Sequence, residues 1–425
     1  MTTDGRRKIG LLPLLGSAVG SQALLSASSF GIGLVLIRGT SDLQYGSYIL
    51  ASSAILLLVS LQNAFVNPAL ASRMVKLDRP GRSALVGGLY RAQRRILPAV
   101  VALAVALVLG LWAGQVLDSH SAPMLLATIG AAWAMLSREY LRMVLFADRL
   151  PHEVVRTDLL HVLLAVGGAW IATHTEAPAA VAVLTLSLAA WASGRLLLGT
   201  LRRQGLWTGA GASGLLAEIA PLAAWSTAGA AIHWAFSQGY IYLVGGTLGV
   251  SAVAAIAATR LLMMPVNLLS TGIGSLMLPL ASGWLHEHGA ATLLRRLCLF
   301  ATALVLATLC YFAVLWWLRD WIFAVLLKKQ FAQRDALLLL WGALFVVMVV
   351  RDQMVCLLAA QGRFRVLTLM TLASAAISLT VSYACMQRLG EVGALVGLLT
   401  GELINAIGII TLSFRRPPAG VPQAG

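Results

Sequence analysis

The sequence predicts an all-α, polytopic membrane protein of about twelve transmembrane helices, arranged as two pseudo-symmetric six-helix lobes. Three observations predict it. Hydrophobic residues make up 59% of the chain and charged residues only 11%, against about 25% charged in ordinary soluble domains. With a mean hydropathy of +0.85, this excludes a soluble globular enzyme, a disordered chain and a coiled coil. The apolar runs are continuous and roughly 20 residues long, the length a helix needs to cross hydrocarbon, and do not alternate as in a β-barrel. Finally, two motifs recur at nearly one offset, which divides the chain into halves.

Taken in order, the candidate spans are roughly 10–37, 45–67, 96–116, 122–147, 158–173, 178–201, 218–244, 250–282, 297–318, 335–360, 366–385 and 393–413. The first is too long for a signal-peptide core and reads as a retained span. The second ends before a basic stretch that holds Arg73, Lys76, Arg79, Arg82, Arg91, Arg94 and Arg95. The eighth is unusually long, and Pro265 and Pro279 are expected to kink it. The four cysteines, Cys298, Cys310, Cys356 and Cys385, lie in apolar runs without metal-ligand spacing and read as small buried hydrophobes.

The net charge is +15, and most of the 31 Lys and Arg residues fall on one side of this span order. They include Arg6, Arg7, Lys8, the basic stretch after span two, Arg149, Arg156, Arg202, Arg203, Arg295, Arg296, Arg363, Arg365, Arg415 and Arg416. The positive-inside rule then places both termini in the cytoplasm. Arg38, Arg319, Lys328, Lys329, Arg334 and Arg388 fall on the opposite side. The basic segment 317–335 therefore departs from the rule, and its pattern suggests an amphipathic helix on the outer surface. The cations set topology, so the excess does not indicate nucleic acid.

The repeat pairs Leu36-Ile37-Arg38-Gly39-Thr40 with Leu243-Val244-Gly245-Gly246-Thr247, and REYLRMVLFAD from Arg138 with RDQMVCLLAAQ from Arg351. Six spans per half leave the halves in the same orientation, a parallel repeat of the kind transporters use. The expected organisation is an N-terminal lobe (1–201), a cytoplasmic linker (202–217), a C-terminal lobe (218–414) and a cytoplasmic tail (415–425).

The run LIRGTSDLQYGSYIL (36–50) resembles the R-x-L-G-x-x-x-Y-G-x-Y junction of polysaccharide flippases. Tyr45-Gly46-Ser47-Tyr48 fits, and Arg38-Gly39-Thr40 departs from R-x-L. The run 254–282, with Arg260, Pro265 and Pro279, resembles span eight of the same family. The chain thus resembles Wzx-like oligosaccharide flippases of the multidrug/oligosaccharidyl-lipid/polysaccharide (MOP) exporter superfamily along nearly its whole length. The resemblance implies a V-shaped pair of bundles around a cationic cavity. It implies a substrate of sugars on undecaprenyl diphosphate, moved across a bacterial inner membrane for surface polysaccharide synthesis. Membrane lipids, a polysaccharide polymerase and a chain-length regulator are the expected partners. No cofactor is expected, with coupling to H+, Na+ or membrane potential left open.

Such a substrate needs fixed cations for its diphosphate, and arginine offers phosphate a planar, bidentate fork. Arg260 is the foremost candidate, flanked by Ala and Leu with no acid nearby in sequence; it also matches the family's basic residue in this helix. Arg38 is either a cation at a cavity mouth or an interfacial anchor. Arg138 with Glu139, Arg351 with Asp352, and Arg142 one turn after Arg138 are either substrate contacts or inter-helix locks. Glu402, with Asn405 three residues on, is either an ion-coupling site or a buried neutral carboxyl. Small residues in span one, among them Gly16, Gly20 and Ser21, suit close packing, while its hydroxyls and Gln22 suit sugar contact. His233, Trp234, Gln238, Tyr240 and Tyr242 in span seven suit sugar stacking or an interfacial belt. No metal site and no Walker, HExxH or G-x-S-x-G motif is present, which argues against an enzyme. A drug/cation antiporter and a membrane polymerase or ligase are the rival readings.

The topology predicts that Lys328→Cys and Lys329→Cys, in a cysteine-free background, react with an impermeant maleimide from outside the cell. Reaction only after the membrane is permeabilised contradicts the twelve-span order.

Overall fold

A computed structural model describes residues 11–74, 76–119, 121–148, 150–207 and 215–414. Arg6, Arg7, Lys8, Arg149, Arg415, Arg416 and residues 208–214 of the expected linker lie outside them. The described residues are helical, with no strand. The first half holds α1 (Leu11–Gly39), α2 (Asp42–Met74), α3 (Arg79–Ala113), α4 (Ser121–Ala147), α5 (Pro151–Ala172) and α6 (Pro178–Arg203). The second holds α7 (Leu215–Thr247), α8 (Val250–Leu261), α9 (Met264–Trp317), α10 (Arg319–Trp321), α11 (Arg334–Ala360), α12 (Phe364–Leu389) and α13 (Glu391–Phe414). Nine helices among the described residues are long and apolar enough to cross a membrane, or ten if the bent pair α8 and the start of α9 forms one span. The chain is an all-α, multi-pass membrane protein.

Local chemistry explains most of the boundaries. Asp78 caps α3 by accepting a hydrogen bond from Gly81 N at 3.0 Å. Prolines open α5 and α6, where a missing N–H costs nothing. The basic stretch expected as a loop is instead the start of α3, so Arg79, Arg82, Arg91, Arg94 and Arg95 ride on helix. The apolar remainder of α3, 96–113, spans about 27 Å, close to the roughly 30 Å of hydrocarbon.

The long eighth span bends by 61° between α8 and α9. The break falls just before Pro265, which supplies no N–H to the preceding turn. Tyr311 Oη donates to the carbonyl of Leu262 at 2.6 Å, satisfying an acceptor at the break. The backbone stays helical through Pro279, contrary to the expected second kink. The second break lies at Gly289, whose φ of +76° an L side chain rarely adopts.

The chain divides into two compact units within α7, between Ala231 and Ile232. The first turns of α7 belong to the first unit. Ile219 joins the core of Leu70, Leu85, Val86, Tyr140 and Leu197, and Glu218 meets Arg73 at 2.9 Å. Tyr140 Oη donates to the carbonyl of Val86 at 2.7 Å and ties α4 to α3.

Small-residue packing is tightest in the second unit. A Cβ at Gly397 would lie 2.2 Å from Ser382 N, and one at Gly393 would lie 2.4 Å from the Cys385 carbonyl carbon. With Gly401 against Ser378, this gives α13 a glycine stripe at intervals of four that faces small residues of α12. The packing expected of Gly16 and Gly20 is not formed, since a Cβ at either meets nothing within 4 Å. Cys298 and Cys310 are exposed and only Cys356 is buried, which corrects the reading of all four as core residues.

The segment after α9 is helical but short, α10 followed by a π-helical turn over Ile322–Leu327, and that turn is apolar on both its buried and its exposed side, unlike the amphipathic helix expected. Ile322, Phe323 and Leu327 are buried, while Trp317, Trp321 and Val325 are exposed. Arg334 pairs with Asp320, and Arg319 lies 3.7 Å from Asp335.

Gly397→Ala should destabilise the fold by about 1–3 kcal/mol through overpacking, lowering the unfolding temperature in detergent. Gly110→Ala, where a Cβ meets nothing within 4 Å, should not. Equal temperatures for the two variants contradict the packing assignment.

Candidate functional site

The charges within the spans fall into three groups. In the first unit, Arg138 and Arg142 stand one turn apart on α4 and share one face. Both reach Asp158 on α5. Arg138 Nη2 pairs with Asp158 Oδ1, and Arg142 Nε donates to Oδ2 at 3.2 Å. Arg142 Nη1 donates to Glu139 Oε1 at 2.9 Å. Hydroxyls complete the network: Ser21 of α1 donates to Asp158 and accepts from Arg142 Nη2 at 2.8 Å, and Ser193 of α6 accepts from Arg138 Nε at 3.0 Å. Arg138 and Asp158 are buried. Two cations and two anions thus neutralise one another between α4 and α5, with hydroxyls from α1 and α6, where an unpaired charge costs several kcal/mol.

Asp158 was not among the sequence candidates. The expected fifth span began at 158, which makes Asp158 a boundary residue, whereas α5 begins at Pro151 and carries it two turns inward. The available signal was the Arg138/Arg142 spacing, which demands a nearby acid. His161, one turn after Asp158, is also buried, and its Nδ1 lacks a hydrogen-bond partner.

In the second unit, Arg351 of α11 forms a buried pair with Glu402 of α13. Its Nη2 also meets Asp352 Oδ1 at 2.7 Å. Adjacent helical residues point about 100° apart, yet the long guanidinium bridges both acids. Glu402 is thus ion-paired and not a lone carboxyl. Asn405 is buried one turn on, and its Oδ1 has no partner; nor do Gln353 Oε1, Ser374 Oγ and Ser378 Oγ.

Arg260 is different. It closes the last turn of α8, where a cation complements the helix dipole, and sits just before the 61° bend. It forms no ion pair among the described residues. Its Nη1 donates to Gln238 Oε1 at 3.0 Å and lies 3.5 Å from Tyr240 Oη, both on α7. Its guanidinium carbon stands 5.5 Å from the Trp341 ring centroid, a cation–π distance. Trp341 is itself fixed by donating from Nε1 to the Ile256 carbonyl at 3.2 Å. The side chain is oriented by neutral groups and is only part-buried. Tyr240 and Trp341 are buried and act as the frame.

Arg38 is exposed at the end of α1 and forms no ion pair among the described residues. Arg195 on α6 stacks on Trp191 at 5.1 Å. A cavity of about 250 Å³ in the first unit is lined by Gln62, Phe65, Gln93 and Leu97, among others, and by none of the candidate cations. No group of three or more His, Cys, Asp or Glu residues is placed to hold a metal among the described residues.

Asp158→Ala leaves two buried arginines short of an acid and should destabilise the first unit by about 3–5 kcal/mol. The measurement is the loss of folded, monodisperse protein in detergent. A folding yield equal to wild type contradicts the role of Asp158 as the shared counter-ion.

No family model matches the sequence, and no curated protein matches it. Solved structures do. An inward-facing multidrug-resistance MATE transporter of the MOP superfamily superposes with a TM-score of 0.72 at 12% identity, over 92% of this chain and 93% of that one. The lipid II flippase MurJ, in an inward closed conformation, gives 0.72 at 9% identity, over 96% and 88%. A MOP-superfamily transporter from Pyrococcus furiosus, described as having reversed binding-pocket polarity, gives 0.68 at 11%, over 95% and 94%. At these identities the likeness is one of fold, and it runs the length of the chain: this protein has the fold of the MOP-superfamily transporters.

Proposed function

We propose that this protein is a flippase for undecaprenyl-diphosphate-linked oligosaccharide repeat units, working by alternating access in a bacterial inner membrane to supply surface polysaccharide synthesis. One observation carries the reading: Arg260 is a part-buried cation with no acid beside it among the described residues, presented by neutral side chains. A guanidinium held this way keeps donors for a phosphate oxygen pair, at a depth where water competes weakly. A drug/cation antiporter needs the opposite, carboxylates open to the ligand. Here Asp158, Glu139 and Glu402 are each engaged by arginine. The fold is shared with a lipid flippase as well as with drug transporters, and the polarity of the site supports the first reading.

In this scheme Arg260 binds the diphosphate, and Arg38, exposed at the end of α1 in the first unit, stays a separate candidate cation. Arg138, Arg142 and Arg351 are committed to acids and act by holding helices together, with substrate contact only if those pairs open. Glu402 and Asn405 remain the candidates for ion coupling, since protonating Glu402 would release Arg351. Export of an anion is also favoured by an inside-negative potential, by about 2.3 kcal/mol per charge per 100 mV, so no ion gradient is required in principle. A polymerase and a chain-length regulator would take up the product.

Arg260→Ala should lower surface polysaccharide at least tenfold at unchanged protein level, and Arg260→Lys should keep part of it. Normal polymer in Arg260→Ala removes Arg260 from the mechanism.

A further inference from the structure

Trp234, Gln238 and Tyr242 follow one another at intervals of four along α7 and share a face. Eight residues of helix rise about 12 Å, yet the Trp234 and Tyr242 ring centroids are only 5.5 Å apart, at an interplanar angle of 48°. The two rings therefore lean together across Gln238. Gln238 is the residue whose Oε1 accepts from Arg260. With the oxygen held there, the amide NH2 is directed away from Arg260. The indole N–H of Trp234 is buried and has no hydrogen-bond partner among the described residues, and Tyr242 is 39% exposed.

An interfacial aromatic belt does not account for Trp234. Such belts sit at helix ends, whereas Trp234 lies about 5 Å of rise from the midpoint of α7. A lipid-facing surface does not account for Gln238 and the part-buried Arg260, which are costly against hydrocarbon.

We propose that Trp234 and Tyr242 are a saccharide platform beside the Arg260 phosphate site, with Gln238 as the hinge between the two subsites; this rests on the lipid-linked oligosaccharide reading above. Arg260 takes the diphosphate. The sugar attached directly to that diphosphate lays its C–H face on the aromatic pair. The Gln238 amide donates to a sugar oxygen. The hydrogen-bonding groups left on Arg260 and Gln238 are donors, which suits a ligand of phosphate oxygens and sugar hydroxyls. It also gives the protein a way to distinguish a glycosylated carrier lipid from the bare one.

The test is equilibrium binding to the full-length protein in nanodiscs with two probes, undecaprenyl diphosphate and undecaprenyl-diphosphate-N-acetylglucosamine. Wild type should prefer the glycosylated probe by roughly three- to tenfold. Trp234→Leu and Tyr242→Leu should lose that preference while binding undecaprenyl diphosphate as wild type does. Trp234→Phe, which keeps a ring, should restore part of it and guards against a folding defect in the leucine variant. Retention of the full preference in Trp234→Leu, an equal loss for both probes, or no preference in wild type overturns the platform. Arg260→Ala should weaken both probes; unchanged binding of both would instead defeat the phosphate assignment on which the platform rests.

Discussion

A charge placed in hydrocarbon must find its partner inside the protein, and the helices of this chain are arranged around that requirement. Asp158 draws Arg138 and Arg142 of α4 onto α5, and Ser21 and Ser193 bring α1 and α6 into the same network. Arg351 and Glu402 join α11 to α13 in the same manner. Each pair is costly to bury and still more costly to break, because removal of one member leaves an unpaired ion. The pairs therefore specify which helices meet, while apolar and small-residue contacts fill the space between them.

Against that background Arg260 acquires meaning. Arg138, Arg142 and Arg351 each have an acid, and exposed Arg195 stacks on Trp191. Arg260 has a glutamine, a tyrosine hydroxyl and an indole face. These groups orient it without cancelling its charge, which is the arrangement a site needs if the counter-ion is to be the substrate. Its place beside the α8–α9 bend adds a mechanical consequence. The bend leaves Leu262 without a continuous helix, Tyr311 takes up its carbonyl, and a change in that bend would move the cation directly.

The sequence disclosed local features well and non-local partnerships poorly. Arg260 was legible because its Ala- and Leu-rich flanks leave no doubt that it lies within a span. The break before Pro265 was legible because proline lacks an N–H; the break at Gly289 was not, since glycine is common in these helices and only its positive φ distinguishes it. The basic start of α3 reads as a loop from sequence because hydropathy marks apolar length and not helix, which here already begins at Arg79. Arg351 and Glu402 were each visible as intramembrane charges, but they lie 51 residues apart and no spacing rule joins them. Asp158 was missed for the same reason, compounded by a span boundary drawn too late. The Gly393, Gly397 and Gly401 stripe was present in the sequence at regular spacing, yet its partner Ser382 is set by how α12 and α13 pack.

The central claim is that the site is built for an anionic lipid-linked sugar. Proteoliposomes carrying the purified protein test it most directly, with undecaprenyl-diphosphate-N-acetylglucosamine in one arm and the organic cation ethidium under a proton or sodium gradient in the other. The account predicts transfer of the lipid-linked sugar between leaflets by wild type, loss of that transfer in Arg260→Ala, and no gradient-driven ethidium movement. Gradient-driven ethidium transport without lipid transfer would contradict it.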